Sequence, residues 1–267
     1  MRQHLVIVRA GDTSLHPQWL GNDSRKWDLA LSYQGDFPDR YKGQYDFLHQ
    51  CRGSKWEGIT QFLTAHSTLV RQYQYVWFPD DSLLTCSDTI DAFFAICTDL
   101  DLTIAQPALT DYSHYNWQIT LQQSRWLARL TNFVEVMAPC FKVQHLHLFS
   151  PYFAENTSGW GYEWLWAHIA EANFVHRLGI VDQTPVFLTR AAWLDEGINE
   201  QHLPTLEWRQ LLQKFGLRLR RPEVLSALTL PQNSPTAPNQ APFSVLVDVL
   251  EDEIRSLQDV FARRLFG

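Results

Sequence analysis

Apolar residues in the first part of the chain come in short dense runs, each closed by a polar cluster. "HLVIVRAGD" (residues 4–12) predicts a buried strand that ends in a Gly-Asp loop, and "KWDLALSYQGD" (26–36) repeats the arrangement. "YVWFPDD" (75–81) is a third strand, and it runs straight into two adjacent aspartates. Between these runs the spacing changes. "KWEGITQFLTAHSTLVRQY" (55–73) places Ile59, Phe62, Leu63, His66, Leu69 and Val70 at helical intervals. In "SDTIDAFFAICTDLD" (87–101), Ser87 is placed to cap a helix whose inner face carries Ile90, Phe93, Phe94 and Cys97. "LTIAQPALT" (102–110) predicts another strand. Strand and helix thus alternate over the first 110 residues, which favours an α/β fold around a mostly parallel central sheet flanked by helices.

Further on, the pattern is less regular. "TNFVEVMAPCFKVQHLHLFSPYF" (131–153) contains a strand-like run, "TSGWGYEWLWAHIAEANF" (157–174) a Gly-rich turn and a Trp-rich helix, and "RLGIVDQTPVFLTR" (177–190) a strand with a polar end. "PQNSPTAPNQAP" (231–242) has the composition of an irregular linker. After it, Leu246, Leu250, Ile254, Leu257, Phe261 and Leu265 recur every three to four residues and predict an amphipathic helix over 243–267. Its apolar face would dock on the main domain, residues 1–230, or on a second copy to give a homodimer.

Composition narrows the function classes. The 267 residues are 45% hydrophobic and 19% charged, as in ordinary globular proteins, and the net charge is −7. No run of Lys and Arg forms a basic stripe, so a nucleic-acid partner is not expected. Eleven tryptophans suggest aromatic surfaces or clefts besides the core. The four cysteines have neither CxxC nor zinc spacing and read as reduced thiols. The apolar run near the start, Leu5 to Val8, is too short for a secretory leader or a membrane span, so a cytoplasmic protein is expected. GxGxxG, Walker, GxSxG and HExxH motifs are absent, which argues against dinucleotide-binding enzymes, P-loop NTPases, α/β-hydrolases and zincins.

In parallel α/β sheets, ligands meet the carboxyl ends of strands. Arg9, Gly11, Asp12, Asp36, Asp80 and Asp81 all fall just after predicted strands and are candidates for one shared rim. Asp80 and Asp81 read in two ways, as a turn or helix cap, or as hard-oxygen ligands for a divalent ion on a phosphorylated substrate. Glu135 interrupts an apolar run, so it is either paired with an arginine such as Arg125 or Arg129 or stands as an acceptor-side carboxylate. Glu163 lies among Trp160, Trp164 and Trp166, where its pKa would rise as a general base requires. A favourable charge at a helix N-terminus explains it equally well. Lys55 opens a helix and is either a phosphate contact or a solvated lysine. Asp182 reads as a turn residue before Pro185. His145 and His147 would share a face of a strand, without a third ligand near.

The order of motifs adds a resemblance. "VRAGDTSLHPQWL", "WDLALSYQGD", "KGQYDF", "GSKWEGI", "YVWFPDDSL", "IAQPALT", "RLTNFVEVMAPCF", "GWGYEWLW" and "GIVDQTPV" follow one another over residues 6–186, about two thirds of the chain. Together they resemble the DUF707 family, which is similar to glycosyltransferases of the GT-A fold. The resemblance implies transfer of a sugar from a nucleotide-sugar to a glycan or small acceptor. It places Asp80 and Asp81 at a Mn²⁺ or Mg²⁺ site on the diphosphate, and Arg9, Gly11, Asp12, Asp36, Lys55 and Asp80 around the donor. Glu163 becomes the catalytic base, and Glu135, Trp160 and Trp164 fall on the acceptor side. Two positions depart from the pattern: Ser82 stands where a third acidic residue is expected, and Leu188 where many such enzymes carry a histidine. A catalytically degenerate member that binds a glycan or a partner is the alternative implied by these departures.

Overall fold

The computed structural model describes residues 2–21, 25–37, 39–190 and 203–229. They belong to a compact unit that ends at Thr229. The linker expected over 231–242 and the helix expected over 243–267 lie outside the described residues.

The strands are β1 (His4–Ala10), β2 (Trp27–Tyr33), β3 (Phe47–Gln50), β4 (Tyr75–Trp77), β5 (Leu83–Leu84), β6 (Ile104–Leu109), β7 (Trp126–Thr131), β8 (Cys140–Lys142), β9 (Leu178–Leu188) and β10 (Val224–Thr229). The helices are α1 (Lys55–Ala65), α2 (Ser67–Val70), α3 (Ser87–Asp99), α4 (Val143–Phe149), α5 (Tyr162–Ala172) and α6 (Leu203–Phe215). The main sheet has the order β10-β7-β9-β6-β8-β4-β1-β2-β3, and β5 pairs separately with β9. Along that order only β7 and β8 run against the rest, so the sheet is mixed but mostly parallel.

Every residue of β1 and β2 is buried, as expected of parallel strands covered on both faces. α1 packs on β1 and β2, and α3 on β9. The crossovers are less regular than the sequence pattern suggests. A single turn of 3₁₀ helix, His16–Trp19, lies between β1 and β2. The helical run from Lys55 breaks at His66 into α1 and α2. Ser87 is the first helical residue of α3, behind an N-cap at Cys86 with no side-chain cap. His145 and His147 lie two residues apart on helix α4, roughly on opposite faces, so the shared face expected of a strand is lost.

Asp182 is a correction of another kind. It is a fully buried residue inside β9, not a turn. Arg129 of β7 clamps it with two bonds, Nε to Oδ2 and Nη2 to Oδ1, each 2.8 Å. The guanidinium also reaches the carbonyls of Ile119 (2.7 Å) and Leu121 (2.8 Å), and Asp182 takes the Gln123 N–H at 2.8 Å. This bidentate pair binds β7 to β9 and removes Arg129 as a partner for Glu135. Pro185 sits where the β6–β9 register shifts, where a missing N–H is tolerated.

The tryptophans serve the core more than any surface. Trp19, Trp27, Trp56, Trp77 and Trp166 are all fully buried. Trp56, Phe78, Phe141, Phe153, Tyr162 and Trp166 form one cluster, with Trp56 4.9 Å from Phe153 and 5.5 Å from Trp166 between ring centres. All four cysteines are free thiols. Among the described residues no helix is long and apolar enough to cross a membrane.

Removing one member of a buried ion pair leaves the other uncompensated, which typically costs about 3–5 kcal/mol. Asp182→Ala should therefore lower the unfolding free energy in urea by about that much. A loss of under about 1 kcal/mol would show that the pair does not hold β7 to β9.

Candidate functional site

Three strands, β1, β4 and β9, deliver their carboxyl ends to one rim. β1 and β4 are adjacent and parallel, and a bridge between Arg9 and Asp80 extends their pairing past the strand ends. This sets Gly11 beside Asp81, whose Oδ2 accepts the Gly11 N–H at 2.9 Å. The other oxygen of Asp81 accepts from Arg190 Nη2 at 3.0 Å. Arg190 follows β9, and its Nη1 reaches Thr13 Oγ1 at 2.9 Å. Asp81 thus ties together the loops that leave β1, β4 and β9.

Asp80 turns the other way. Its Oδ1 receives Lys55 Nζ at 2.5 Å, and the same ammonium donates to the carbonyls of Val136 (2.8 Å) and Met137 (3.0 Å). Lys55 is neither a solvated lysine nor a free phosphate contact. It is mostly buried and fully engaged, with three acceptors for three N–H bonds. Burial pushes the Asp80 carboxyl up and the Lys55 amine down, and each offsets that penalty for the other. The N-terminus of α1 is also occupied. Ser54 and Glu57 form a capping box, which satisfies donors that a phosphate would otherwise meet. Neither aspartate caps a helix.

The other donor-side candidates separate into a brace and an outer edge. The Arg9 guanidinium is buried and points into the ends of β2 and β3. It donates to Ser32 Oγ (3.1 Å), Gln34 Oε1 (3.2 Å), Cys51 O (3.0 Å) and Gly53 O (2.7 Å). Gly58 on α1 is needed there, because a Cβ would come within 2.8 Å of three Arg9 side-chain atoms, Cδ, Nε and Cζ. Asp12 accepts from the Tyr33 hydroxyl and, at 3.0 Å, from Asp36 N–H, and the Tyr33 bond holds its carboxyl below the usual range. Asp36 itself is exposed and paired with Arg52 at 2.7 Å.

Two carboxyl groups lie deeper. Glu135, between β7 and β8, is 1% exposed. Asn116 Nδ2 donates to the Glu135 Oε1 at 3.0 Å, while the buried Oε2 has no hydrogen-bond partner among the described residues. Burial pushes its pKa up to about 7. Glu163, in the first turn of α5, is 3% exposed, and its Oε2 accepts the Gly161 N–H at 2.9 Å. Burial is the main cause that pushes it up to about 8, and repulsion from Glu135 adds to it. Gly161 adopts φ +99°, and a Cβ there would meet Trp208 at 2.8 Å and Leu211 at 2.9 Å, so the turn that aims Glu163 requires glycine. Trp164 packs against Trp117, Phe133 and Trp208, with its Nε1 bonded to the Arg220 carbonyl at 2.9 Å. Its ring is held by protein neighbours, whereas Trp160 is half-buried.

The two departures in the sequence are built into the packing. Ser82 is buried and its carbonyl accepts the Thr189 N–H at 3.2 Å, and Leu188 pairs with Leu83 across β5 and β9. Among the described residues no group of three His, Cys, Asp or Glu side chains converges on a metal position. Asp80 and Asp81 supply two carboxylates, each already matched to a cationic side chain. The donor set does not fit a divalent ion as it stands.

Comparison of folds settles the architecture. S. aureus TarS matches with TM-score 0.52 at 11% identity, over 80% of this chain and 44% of that one. Its 1–349 fragment matches with TM-score 0.50 at 10% identity, over 80% and 72%. The same fragment crystallised with UDP-GlcNAc gives 0.50 at 10%, over 82% and 68%. The fold is GT-A-like. This chain spans less than half the length of full TarS. No family model matches the sequence, and no curated protein does.

Two residues of this GT-A-like rim escaped the sequence reading: Arg190, which has the same strand-end placement as Asp80, and Asn116, in the loop after β6. A cavity of about 810 Å³ opens at the opposite end of β4, beside Tyr75 and Lys142, and touches none of these residues.

The raised carboxyls fix a pH dependence. Native Glu135 and Glu163 hold their protons above the unfolded value, so the stability they confer is complete below about pH 4.5 and is lost as pH rises through about 7 and 8. Glu163→Gln keeps an acceptor for Gly161 and carries no charge. Its melting temperature should gain on wild type between about pH 5 and pH 8.5, and a difference that stays flat over that range would contradict the assignment.

Proposed function

We propose that this protein is a glycosyltransferase that takes a nucleotide-sugar as donor and a glycan or small hydroxyl compound as acceptor. The observation that carries the reading is the meeting of Gly11, Asp81 and Arg190 where β1, β4 and β9 end, in a GT-A-like sheet. The crystal form of TarS with UDP-GlcNAc, whose fold this chain shares, supports the nucleotide-sugar class. Arg190 offers a guanidinium suited to phosphate oxygens, and it shares Asp81 with the Gly11 N–H.

In the proposed reaction the acceptor hydroxyl attacks the anomeric carbon while the bond to the diphosphate oxygen breaks. The leaving nucleoside diphosphate carries away the electron pair, and the hydroxyl proton passes to Glu163. Direct displacement of this kind inverts the anomeric centre. Glu163 accepts a proton only when ionised, so the rate should climb between about pH 6 and pH 8, following its raised pKa of about 8.

A second reading has its own observation. Glu163 Oε2 bonds to the Gly161 N–H at the start of its own helix, as a purely structural carboxyl would. A binding protein without catalysis would then bind nucleotide or glycan and turn nothing over.

A thermal-shift screen of UDP, GDP, CMP and their sugars tests the reading. A ligand at 100 times its Kd stabilises the native state by about 2.7 kcal/mol, which in a domain of this size raises Tm by about 5–10 °C. Asp81→Asn and Arg190→Ala should each abolish the shift. Glu163→Gln should keep it while lowering turnover by about 10²–10⁴-fold. Binding without turnover of any donor would favour the second reading, and no response to any nucleotide would overturn the first.

A further inference from the structure

Lys55 is a position that neither the fold nor the proposed reaction explains. A lysine at the first position of a helix normally extends into water. This one folds back, reaches across to the end of β4 and makes three bonds, one to a carboxylate and two to main-chain carbonyls. Carboxylate and carbonyl oxygens are the ligand types that hard divalent cations select. Asp80 Oδ1 and the carbonyls of Val136 and Met137 form such a set, and the ammonium sits among them. The backbone arranges this on purpose-built geometry: Asp80 N–H donates to the Met137 carbonyl at 2.8 Å, which fixes residues 136–137 against the strand end. Trp56, the next residue, is anchored in the aromatic cluster, so α1 cannot slide to withdraw the lysine without repacking the core. Arg190 plays the matching part at Asp81.

We propose that Lys55 is a built-in replacement for a divalent ion, occupying the cation position that Asp80 Oδ1 and the carbonyls of Val136 and Met137 define, so that an anionic ligand binds this rim without metal. The nucleotide half of this inference rests on the reading above, but the cation half does not. An ammonium and a Mn²⁺ ion cannot share the same oxygens, so wild-type protein excludes the metal whatever its ligand.

Mn²⁺ is itself the probe. Titration followed by the electron paramagnetic resonance of free Mn²⁺ should show no uptake by wild-type protein up to about 1 mM. Lys55→Met removes the ammonium, keeps the apolar stem and should create a Mn²⁺ site, seen as loss of the free-ion signal. Lys55→Gln is the second variant, retaining a polar group should the methionine protein fail to fold, and circular dichroism checks both. Uptake by wild type overturns the proposal, and so does a folded Lys55 variant that still takes up no Mn²⁺. In parallel, UDP affinity for wild type should differ by less than about threefold between EDTA and Mn²⁺. A gain of more than about tenfold with Mn²⁺ overturns the metal-free site while leaving nucleotide binding intact. If UDP binds under neither condition, the nucleotide reading fails, and the Mn²⁺ titrations still decide the role of Lys55.

Discussion

The rim stands on the aromatic cluster around Trp56. Three site elements each contribute a ring to it from the residue beside, or two before, a charged group: Trp56 beside Lys55, Phe78 two before Asp80, and Tyr162 beside Glu163. Large rings packed edge to face have few alternative arrangements, so the cluster fixes where the ends of α1, β4 and α5 lie. The polar groups are then positioned both by the core beneath them and by the bonds they make to one another.

With positions fixed, the electrostatics follow. Taking a carboxylate out of water is costly, and each buried acid here meets that cost differently. Asp80 and Asp182 have full cationic partners in Lys55 and Arg129. Asp81 shares Arg190 with a main-chain N–H. Glu135 and Glu163 have only neutral donors and respond by keeping their protons. The site therefore divides into a charge-balanced portion at the ends of β1, β4 and β9, and a protonatable portion between the β7–β8 loop and α5.

Much of this was legible from the chain. The long apolar runs of β1, β2, β6 and β9 announced themselves, because strands buried on both faces leave no room for polar alternation. The four-residue β3 and the two-residue β5 are too short to carry a readable pattern, and β10 is exposed although four of its six residues are apolar. The antiparallel insertion of β8 between β4 and β6 is a tertiary choice that no local pattern encodes. At the candidate site, the rule that ligands meet strand ends picked out Gly11, Asp80 and Asp81, which do lie on one rim. It also collected Arg9, whose side chain in fact braces β2 and β3, since periodicity cannot say which way a long side chain turns. Asp182 was misread because Pro185 so near suggested a turn, whereas a register shift accommodates that proline within the strand. Lys55 and Asp80 were both picked out, but their pairing over 25 residues was not, because an ion pair between a helix start and a strand end leaves no trace in spacing.

The link from Arg190 to Thr13 joins residues 177 positions apart, and the link to Asp81 spans 109. Closing loops of that length is entropically late work for a chain. The first strand can pair with its neighbours soon after they exist, yet the rim stays open until the ninth strand has been made and has crossed the sheet. The same strand carries buried core residues and joins β7 to β6, so core and site are completed together, and a chain interrupted before residue 190 would lack the arginine that closes the rim.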